Sequence, residues 1–327
     1  MLILTRNEIA DLLTMQDALD AVEEGFARLT KGEVVMPQRA ATPIGPYGGL
    51  HLSMPAYVEG DPGTLTVKIV TVYGENPARF RLPMIQGVLL LHDARNGNLL
   101  SIMDAEYVTM MRTGAASGVA TKYLARPDAQ TLTLFGAGAQ AGAQLEAVCA
   151  VRDVRRAFVV THSGRKDAEF SERMSGQLDI DVVPMRDVRS AVEAADVICT
   201  ATSSAEPLFD GAWVRPGTHI NAVGAYTRTM RELDAVTVQR SRVFVDAHAA
   251  AQTEAGDILV AIAEGALGYD HVAGELGDLV LGTTPGRIDS DQITLFKSVG
   301  LAMQDAVTAA RVYALATETD AGRVVRL

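Results

Sequence analysis

The sequence predicts an α/β fold, a doubly wound parallel sheet joined to a discontinuous α+β domain, and three observations carry that expectation. From about residue 130 to about 300, short apolar runs rich in β-branched residues alternate with segments of helical spacing, the pattern of a parallel sheet covered on both faces. Within that stretch the run Leu132–Phe135 breaks at Gly136-Ala-Gly138 and continues with helix-like spacing through Ala141, Leu145 and Val148. The region up to residue 118 reads differently, as two helices followed by strand-like pieces broken by Gly and Pro.

The chain opens with helical spacing over Thr5–Leu12 and Met15–Lys31. Strand-like runs follow at Gly48–Met54, Leu65–Val72 and Gly87–Asp93, and the last ends in Arg95-Asn96-Gly97, whose Asn-Gly pair favours a hairpin. Arg112 begins a helix of small residues, Thr113 to Ala120, that would pack closely and hold its position. Six parallel strands are expected next: Leu132–Phe135, Ala157–Thr161, Ile180–Val183, Val197–Thr202, His219–Val223 and Val243–Asp246, with helical segments such as Arg186–Ala195 between most of them. A last apolar-periodic segment, Val299–Thr317, is expected to pack back on the N-terminal part. The domains then run 1–118 with 300–327, and 119–299.

Bulk properties exclude several classes. The 327 residues carry a formal charge of −11 and no basic run longer than two residues, so nucleic acid is not an expected partner. Cys149 and Cys199 stand far apart in apolar settings, which fits a reducing cytoplasm better than a disulfide framework. Charge appears almost at once after the N-terminus and no apolar stretch approaches a spanning length, so neither a signal peptide nor a membrane span is expected.

The glycine break has a specific chemistry. A tight turn at Gly136, bare backbone at Gly138 and a small residue at Ala141 form the Gly-x-Gly-x-x-Ala arrangement of a Rossmann-type dinucleotide site. The helix that follows would turn N–H groups and its positive dipole end toward a pyrophosphate. About 20 residues beyond the glycines an acid would read the adenine ribose. Here the chain has Thr161-His162-Ser163-Gly164-Arg165-Lys166, with the first acid at Asp167. Hydroxyls, an imidazole and two cations suit a 2′-phosphate, so NADP(H) is favoured over NAD(H), with His162, Ser163 and Arg165 as contacts. The plainer reading makes Arg165 and Lys166 solvated residues of the next helix.

Three cations could hold a small anion: Arg39, Lys68 and Arg112. Lys68 interrupts a strand that is otherwise apolar, where a charge is costly unless it meets a partner or a wet cleft. For each of the three an ordinary salt bridge is the competing explanation. The six histidines, His51, His92, His162, His219, His248 and His271, lack metal-ligand spacing, and His219 reads as a strand residue. The pairs Asp246 with Glu254 and Glu275 with Asp278 read as caps and solvated faces. No serine sits in a Gly-x-Ser-x-Gly turn, and the methionines from Met103 to Met111 read as core or interface filler.

Taken in order, the pieces Met36-Pro-Gln-Arg39, Val67-Lys68 with Asn76 and Leu82-Pro83, Gly87 with Asp93, Arg112-Thr-Gly-Ala-Ala-Ser, Gly136-Ala-Gly-Ala-Gln140, His219-Ile-Asn-Ala-Val-Gly224, Arg231-Glu-Leu-Asp234 and Ile293-Thr-Leu-Phe-Lys-Ser-Val-Gly300 make the chain resemble the ornithine cyclodeaminase/mu-crystallin family over nearly its whole length. The resemblance implies a homodimer whose N-terminal domain forms the dimer and binds substrate, with a cofactor in the cleft that domain makes with the Rossmann domain. Arg39, Lys68 and Arg112 would hold the substrate carboxylate, and Tyr226 and Val299 would stand on the substrate side. Ala139 and Gln140 would meet the pyrophosphate, Asn221, Ala222, Val223, Gly224 and Ser298 would line the nicotinamide side, and Thr200 or Thr202 would touch the cofactor.

One departure separates activities within that family. The cyclodeaminases carry a catalytic aspartate after an Asn-Ala-Val-Gly-Gly stretch, whereas this chain reads Asn221-Ala-Val-Gly-Ala225-Tyr226-Thr227. Turning ornithine into proline requires several timed proton transfers by a group titrating near neutrality, and a phenol ionises far above that range. The resemblance therefore implies the branch that reduces a cyclic imino acid, pyrroline-2-carboxylate or piperideine-2-carboxylate, to proline or pipecolate with a nicotinamide cofactor. The proton would come from an ordered water or from Lys68. The alternatives are an ornithine cyclodeaminase, an alanine dehydrogenase-like oxidoreductase, and a crystallin-like protein that binds NADP without turnover.

Overall fold

The computed structural model describes residues 1–164 and 167–326, and the chain divides into two compact units, Met1–Arg112 with Leu301–Leu327, and Thr113–Gly300. The first unit begins with β1 (Leu2–Leu4), α1 (Arg6–Leu12) and α2 (Met15–Thr30). Both helices start where the sequence supplies a reciprocal cap, Thr5 with Glu8 and Thr14 with Asp17, which satisfies backbone N–H groups left over at a helix start. There follow β2 (Val34–Val35), β3 (Ala40–Ile44), β4 (Gly49–Val58), β5 (Thr64–Tyr73), the short α3 (Asn76–Arg79), β6 (Ile85–Asp93) and β7 (Leu99–Asp104). The expected turn after β6 is present, with Gly97 at φ 76°, and β6 pairs antiparallel with β7. Along β5 burial alternates, so Thr66, Lys68 and Val70 face inward together.

α4 (Ala105–Leu124) starts directly after β7, where Asp104 Oδ1 accepts from the Tyr107 N–H at 2.8 Å. Arg112 therefore lies in the middle of a helix. The expectation that it begins one is corrected: α4 already runs through Met110 and Met111 before it, while Met103 lies near the end of β7, and Met103 and Met111 are core residues as read.

The second unit continues with β8 (Thr131–Phe135), α5 (Ala141–Val151), β9 (Arg156–Val160), α6 (Asp167–Leu178), β10 (Asp181–Pro184), α7 (Val188–Ala194), β11 (Val197–Thr200), β12 (His219–Ala222), α8 (Ala235–Arg240), β13 (Ser241–Val245), α9 (His248–Glu254), α10 (Gly256–Ala263), β14 (Val272–Glu275), α11 (Leu276–Leu281) and β15 (Ile293–Lys297). Among the described residues its sheet has eight strands in the order β10-β9-β8-β11-β12-β15-β13-β14, and every pair is parallel. Strand order reverses between β8 and β11, the switch point at which doubly wound sheets bind ligands. Two strands exceed the expected six. Gly274 breaks the short β14, and β15 ends in a lysine, so neither reads as an apolar run. Successive residues feed opposite faces: Val197 and Cys199 join one apolar core, and Ile198 the other.

The chain returns to the first unit with α12 (Ala302–Glu318) and β16 (Arg323–Val324). As its apolar periodicity predicts, α12 packs on α2 and across β4, β5 and β6. The sheet there runs β16-β1-β7-β6-β5-β4-β2, with β3 paired to the first half of β4 and β2 to its last two residues. Lys68 sits between Met54 of β4 and Leu89 of β6, beneath α12.

Candidate active site

In the first unit the structure brings two of the three expected cations together on one buried aspartate. Lys68 is 2% exposed, Arg112 6% and Asp305 1%. The Lys68 ammonium lies 2.7 Å from Asp305 Oδ2, and Arg112 Nε lies 3.0 Å from Asp305 Oδ1. Lys68 Nζ also donates to Thr109 Oγ1 at 3.4 Å, and Arg112 Nη1 donates to Gln304 Oε1 at 2.6 Å. Gln304 Oε1 accepts the Leu301 N–H as well, so the start of α12 and the arginine are pinned by one amide. Burial first, with the charges of Arg112 and Arg39 adding to it and Asp305 opposing, brings the Lys68 pKa down to about 8. Arg39, between β2 and β3, is half-buried and acts on Lys68 through its charge.

Two cations against one carboxylate leave an excess positive charge in the interior, which a bound carboxylate would neutralise. Buried polar atoms without partners stand on the same elements: Thr66 Oγ1 on β5, and Gln304 Nε2 and Thr308 Oγ1 on α12.

In the second unit the glycine turn has the geometry a dinucleotide needs. Gly136 has φ 106°, and a Cβ there would lie 2.7 Å from the Ala201 carbonyl oxygen. At Gly138 a Cβ would meet nothing within 4 Å, so the backbone is open to a close ligand, and Ala139 beside it is exposed. Ala141 is buried as the third small position, and α5 starts there. Gln140 Oε1 is buried without a hydrogen-bond partner, an unmet polar group at the loop itself. These residues fit the pyrophosphate of a dinucleotide.

After β9, His162 and Ser163 are exposed. Asp167, the first acid of this stretch, is turned inward, accepting from the Thr161 hydroxyl and lying 3.4 Å from Arg186 Nη1. Arg165 and Lys166 lie outside the described residues.

The loops after β11 and β12 are tied by a carboxylate that sequence reading passed over. Glu232 is fully buried. Its Oε2 accepts from Thr200 Oγ1 and the Gly224 N–H, both at 2.8 Å, and its Oε1 from the Thr202 N–H at 2.7 Å and Thr202 Oγ1 at 2.8 Å. Burial first, then Asp257, pushes the Glu232 carboxyl pKa up, against the pull of Lys297 and these donors. Asp257 in turn accepts the Glu232 and Leu233 N–H groups at 2.6 and 2.9 Å and pairs with Lys297 at 2.8 Å.

The side chains of several candidates therefore point into the protein. Thr200 is spent on Glu232. Asn221 Nδ2 donates to Thr121 Oγ1 at 2.9 Å while its Oδ1 meets His219 Nε2 at 3.1 Å. Ser298 Oγ donates to Asp246 Oδ2 at 3.0 Å, and that oxygen also takes the N–H groups of Val299 and Gly300. Ala222 is buried and its carbonyl accepts from the Ser298 N–H and Lys297 Nζ, the Val223 and Gly224 N–H groups go to the Thr200 carbonyl and Glu232, and only Val223, Gly224 and the half-buried Tyr226 reach partly toward the surface. His219 is the interior strand residue expected, its pKa pushed down to about 3 by burial first and then by Arg287.

A signal for Asp305 exists in the sequence: it falls on the buried face of an apolar-periodic helix with Leu301, Ala309 and Val312, the argument that singled out Lys68 in its strand. Lys297, ending the run Ile293-Thr-Leu-Phe, carries the same signal.

The sequence model of the ornithine cyclodeaminase/mu-crystallin family matches residues 1–320. The chain is similar to a Delta(1)-pyrroline-2-carboxylate reductase of Bacillus cereus, 34% identical over 326 residues that cover 99% of each protein. Among solved structures, it is similar to Thermococcus litoralis Delta(1)-pyrroline-2-carboxylate reductase in complex with NADH and L-proline, with 41% identity, a TM-score of 0.96 and coverage of 99% of this chain and 100% of that one. It is also similar to an archaeal alanine dehydrogenase dimer with bound NAD, at 32% identity and a TM-score of 0.93, covering 100% of this chain and 99% of that one.

Proposed function

This chain belongs to the ornithine cyclodeaminase/mu-crystallin family, and we propose that within it the protein reduces a small cyclic imino acid with a nicotinamide nucleotide. The observation that carries this reading is the buried pair Lys68 and Arg112 sharing the single carboxylate of Asp305. A planar imino acid such as pyrroline-2-carboxylate or piperideine-2-carboxylate brings the missing negative charge, and an arginine fork suits its carboxylate. Arg112 and Arg39 take that carboxylate, and Lys68 stands next to it. Gly136 to Gln140 hold the pyrophosphate, and the partly exposed loop at Val223 and Gly224 faces the nicotinamide, whose reduced form supplies the hydride. Tyr226 stands where a cyclodeaminase has its aspartate, so the multistep proton chemistry of that reaction lacks its base. The solved relatives hold NADH or NAD. For this chain exposed His162 and Ser163, with Asp167 turned inward, favour NADPH.

The test is loss of nicotinamide absorbance when the protein is mixed with either imino acid and NADPH or NADH in parallel. Turnover with kcat/KM higher for NADPH is expected. Ammonia release from ornithine without imino-acid reduction would replace this reading with cyclodeaminase chemistry, and NADPH binding without any turnover would make the chain a binding protein.

The protein is further proposed to act as a homodimer joined through the first unit, where Tyr47, Phe80, Leu82, Met84, Ile85 and Val88 are all exposed. Among the described residues no helix is long and apolar enough to cross a membrane. Free Cys149 and Cys199 suit the reducing cytoplasm proposed as its location.

A further inference from the structure

Hydride reaches a C=N carbon readily only when the nitrogen carries a proton, so an imino-acid reductase needs an acid beside that nitrogen. A lysine can serve when it stays protonated at working pH yet gives up its proton with little penalty. Burial between two arginines drives an ammonium toward the neutral form, and a close carboxylate holds it charged. Lys68 meets both influences. Its strand neighbours Met54 and Leu89 cannot titrate. α4 offers Arg112 and the Thr109 hydroxyl, the segment between β2 and β3 offers Arg39, and α12 offers Asp305. Asp305 is the one anion among these charges, and it touches both cations.

We propose that Asp305 is a positioning residue: its carboxylate bridges Lys68 and Arg112, keeping the lysine an ammonium that protonates the imine nitrogen while the arginine holds the substrate carboxylate. The inference rests on the imino-acid reductase reading. In the step, an N–H bond of the Lys68 ammonium breaks and one forms on the imine nitrogen. The hydride pair from the nicotinamide goes to the adjacent carbon, reducing the imine and oxidising the nucleotide. Lys68 is left neutral and regains a proton from solvent. A role in packing alone would make Asp305 matter to folding and leave the titration of the site unchanged.

The two roles separate in the pH dependence. Lys68 titrating near pH 8 gives kcat/KM a limb that falls through that pH as the ammonium is lost. Removing the carboxylate removes the influence that holds the proton, so Asp305→Asn is expected to move the limb to lower pH by about one unit, a tenfold change in proton affinity. Asp305→Glu is expected to move it back toward wild type, and Lys68→Met to abolish it.

A readout without turnover is proton uptake on binding pyrrole-2-carboxylate, a planar anion whose ring nitrogen is not basic, followed by calorimetry in buffers of different ionisation enthalpy. Wild type is expected to take up protons above about pH 8, Lys68→Met to take up none, and Asp305→Asn to begin at lower pH. Lower activity with an unmoved limb and unmoved uptake would overturn the proposal. If Asp305→Asn does not fold, uptake that persists in Lys68→Met overturns it equally. Wild type that binds the analogue yet reduces no imino acid refutes the reductase reading instead, and leaves the calorimetric arm to judge Asp305.

Discussion

Glu232, buried and facing no solvent, ties together the two loops proposed to meet the cofactor. Four donors converge on its two oxygens from the ends of two neighbouring strands, so an amide cannot replace it without turning an N–H2 group toward N–H and O–H donors. Leaving such buried groups unmet costs about 1–3 kcal/mol. If about 1.4 kcal/mol of that falls on the loop geometry that meets the cofactor, Glu232→Gln raises KM for NAD(P)H about tenfold, while KM for the imino acid stays within about twofold. Steady-state kinetics with each substrate varied in turn checks this, and equal rises in both would contradict it. At this scale the sequence was legible where a residue violated its surroundings: Lys68, a charge in an apolar strand, is indeed buried and paired. Glu232 was not legible, because Arg231-Glu-Leu-Asp234 has no periodic pattern to violate and its partners Thr200 and Gly224 are fixed only by the sheet order. Asn221 misleads in the opposite way, since its place in the stretch proposed to face the nicotinamide says nothing of a side chain that points inward to Thr121 and His219.

At the scale of elements, spacing placed most strands and helices because each apolar face is written in consecutive residues. It failed where a charge or glycine interrupts the face, at β14 and β15, and where a helix opens with unfamiliar residues, as α4 does at Ala105. What close helix approach demands was readable in the run of small residues after Arg112, and the structure gives it a distance. A Cβ at Gly114 would lie 2.5 Å from the Ala143 carbonyl oxygen of α5. Backbone is not displaced as cheaply as a side-chain tip, so Gly114→Ala is expected to cost about 1–3 kcal/mol. That lowers Tm by roughly 2–4 °C per kcal/mol for a chain of this size. It should also weaken NAD(P)H binding, since α5 begins at the glycine turn. Gly176, exposed in α6 with nothing within 4 Å of a built Cβ, is the control: Gly176→Ala relieves a poor helix former and should raise stability by about 0.5–1 kcal/mol. A thermal melt in which both variants move the same way would refute the distinction.

At the scale of the whole molecule, the apolar residues left outside need an explanation that the sequence could not supply. The stretch from 80 to 88 has no strict alternation, so the sequence does not say on which side its apolar residues lie. In the structure Phe80 is 61% and Leu82 48% exposed. The residues adjoin: β5 pairs Val72 with Ile85, the Tyr73 N–H donates to the Met84 carbonyl, and Tyr73 packs at Gly49, next to the turn that carries Tyr47. Contiguous apolar surface of this kind marks a contact with another protein, and the homodimer proposed above, with a relative solved as a dimer, makes a second copy the partner. A two-fold contact doubles every change, because the same patch is used on both sides. The pair Phe80→Asp with Ile85→Asp therefore sets four carboxylates into one interface, and light scattering on the eluting protein should report half the wild-type mass. Lys68, Arg112 and Asp305 are buried elsewhere in the unit, so their ion pairs should survive the change. A variant that keeps the wild-type mass would show that this patch is not where two copies meet.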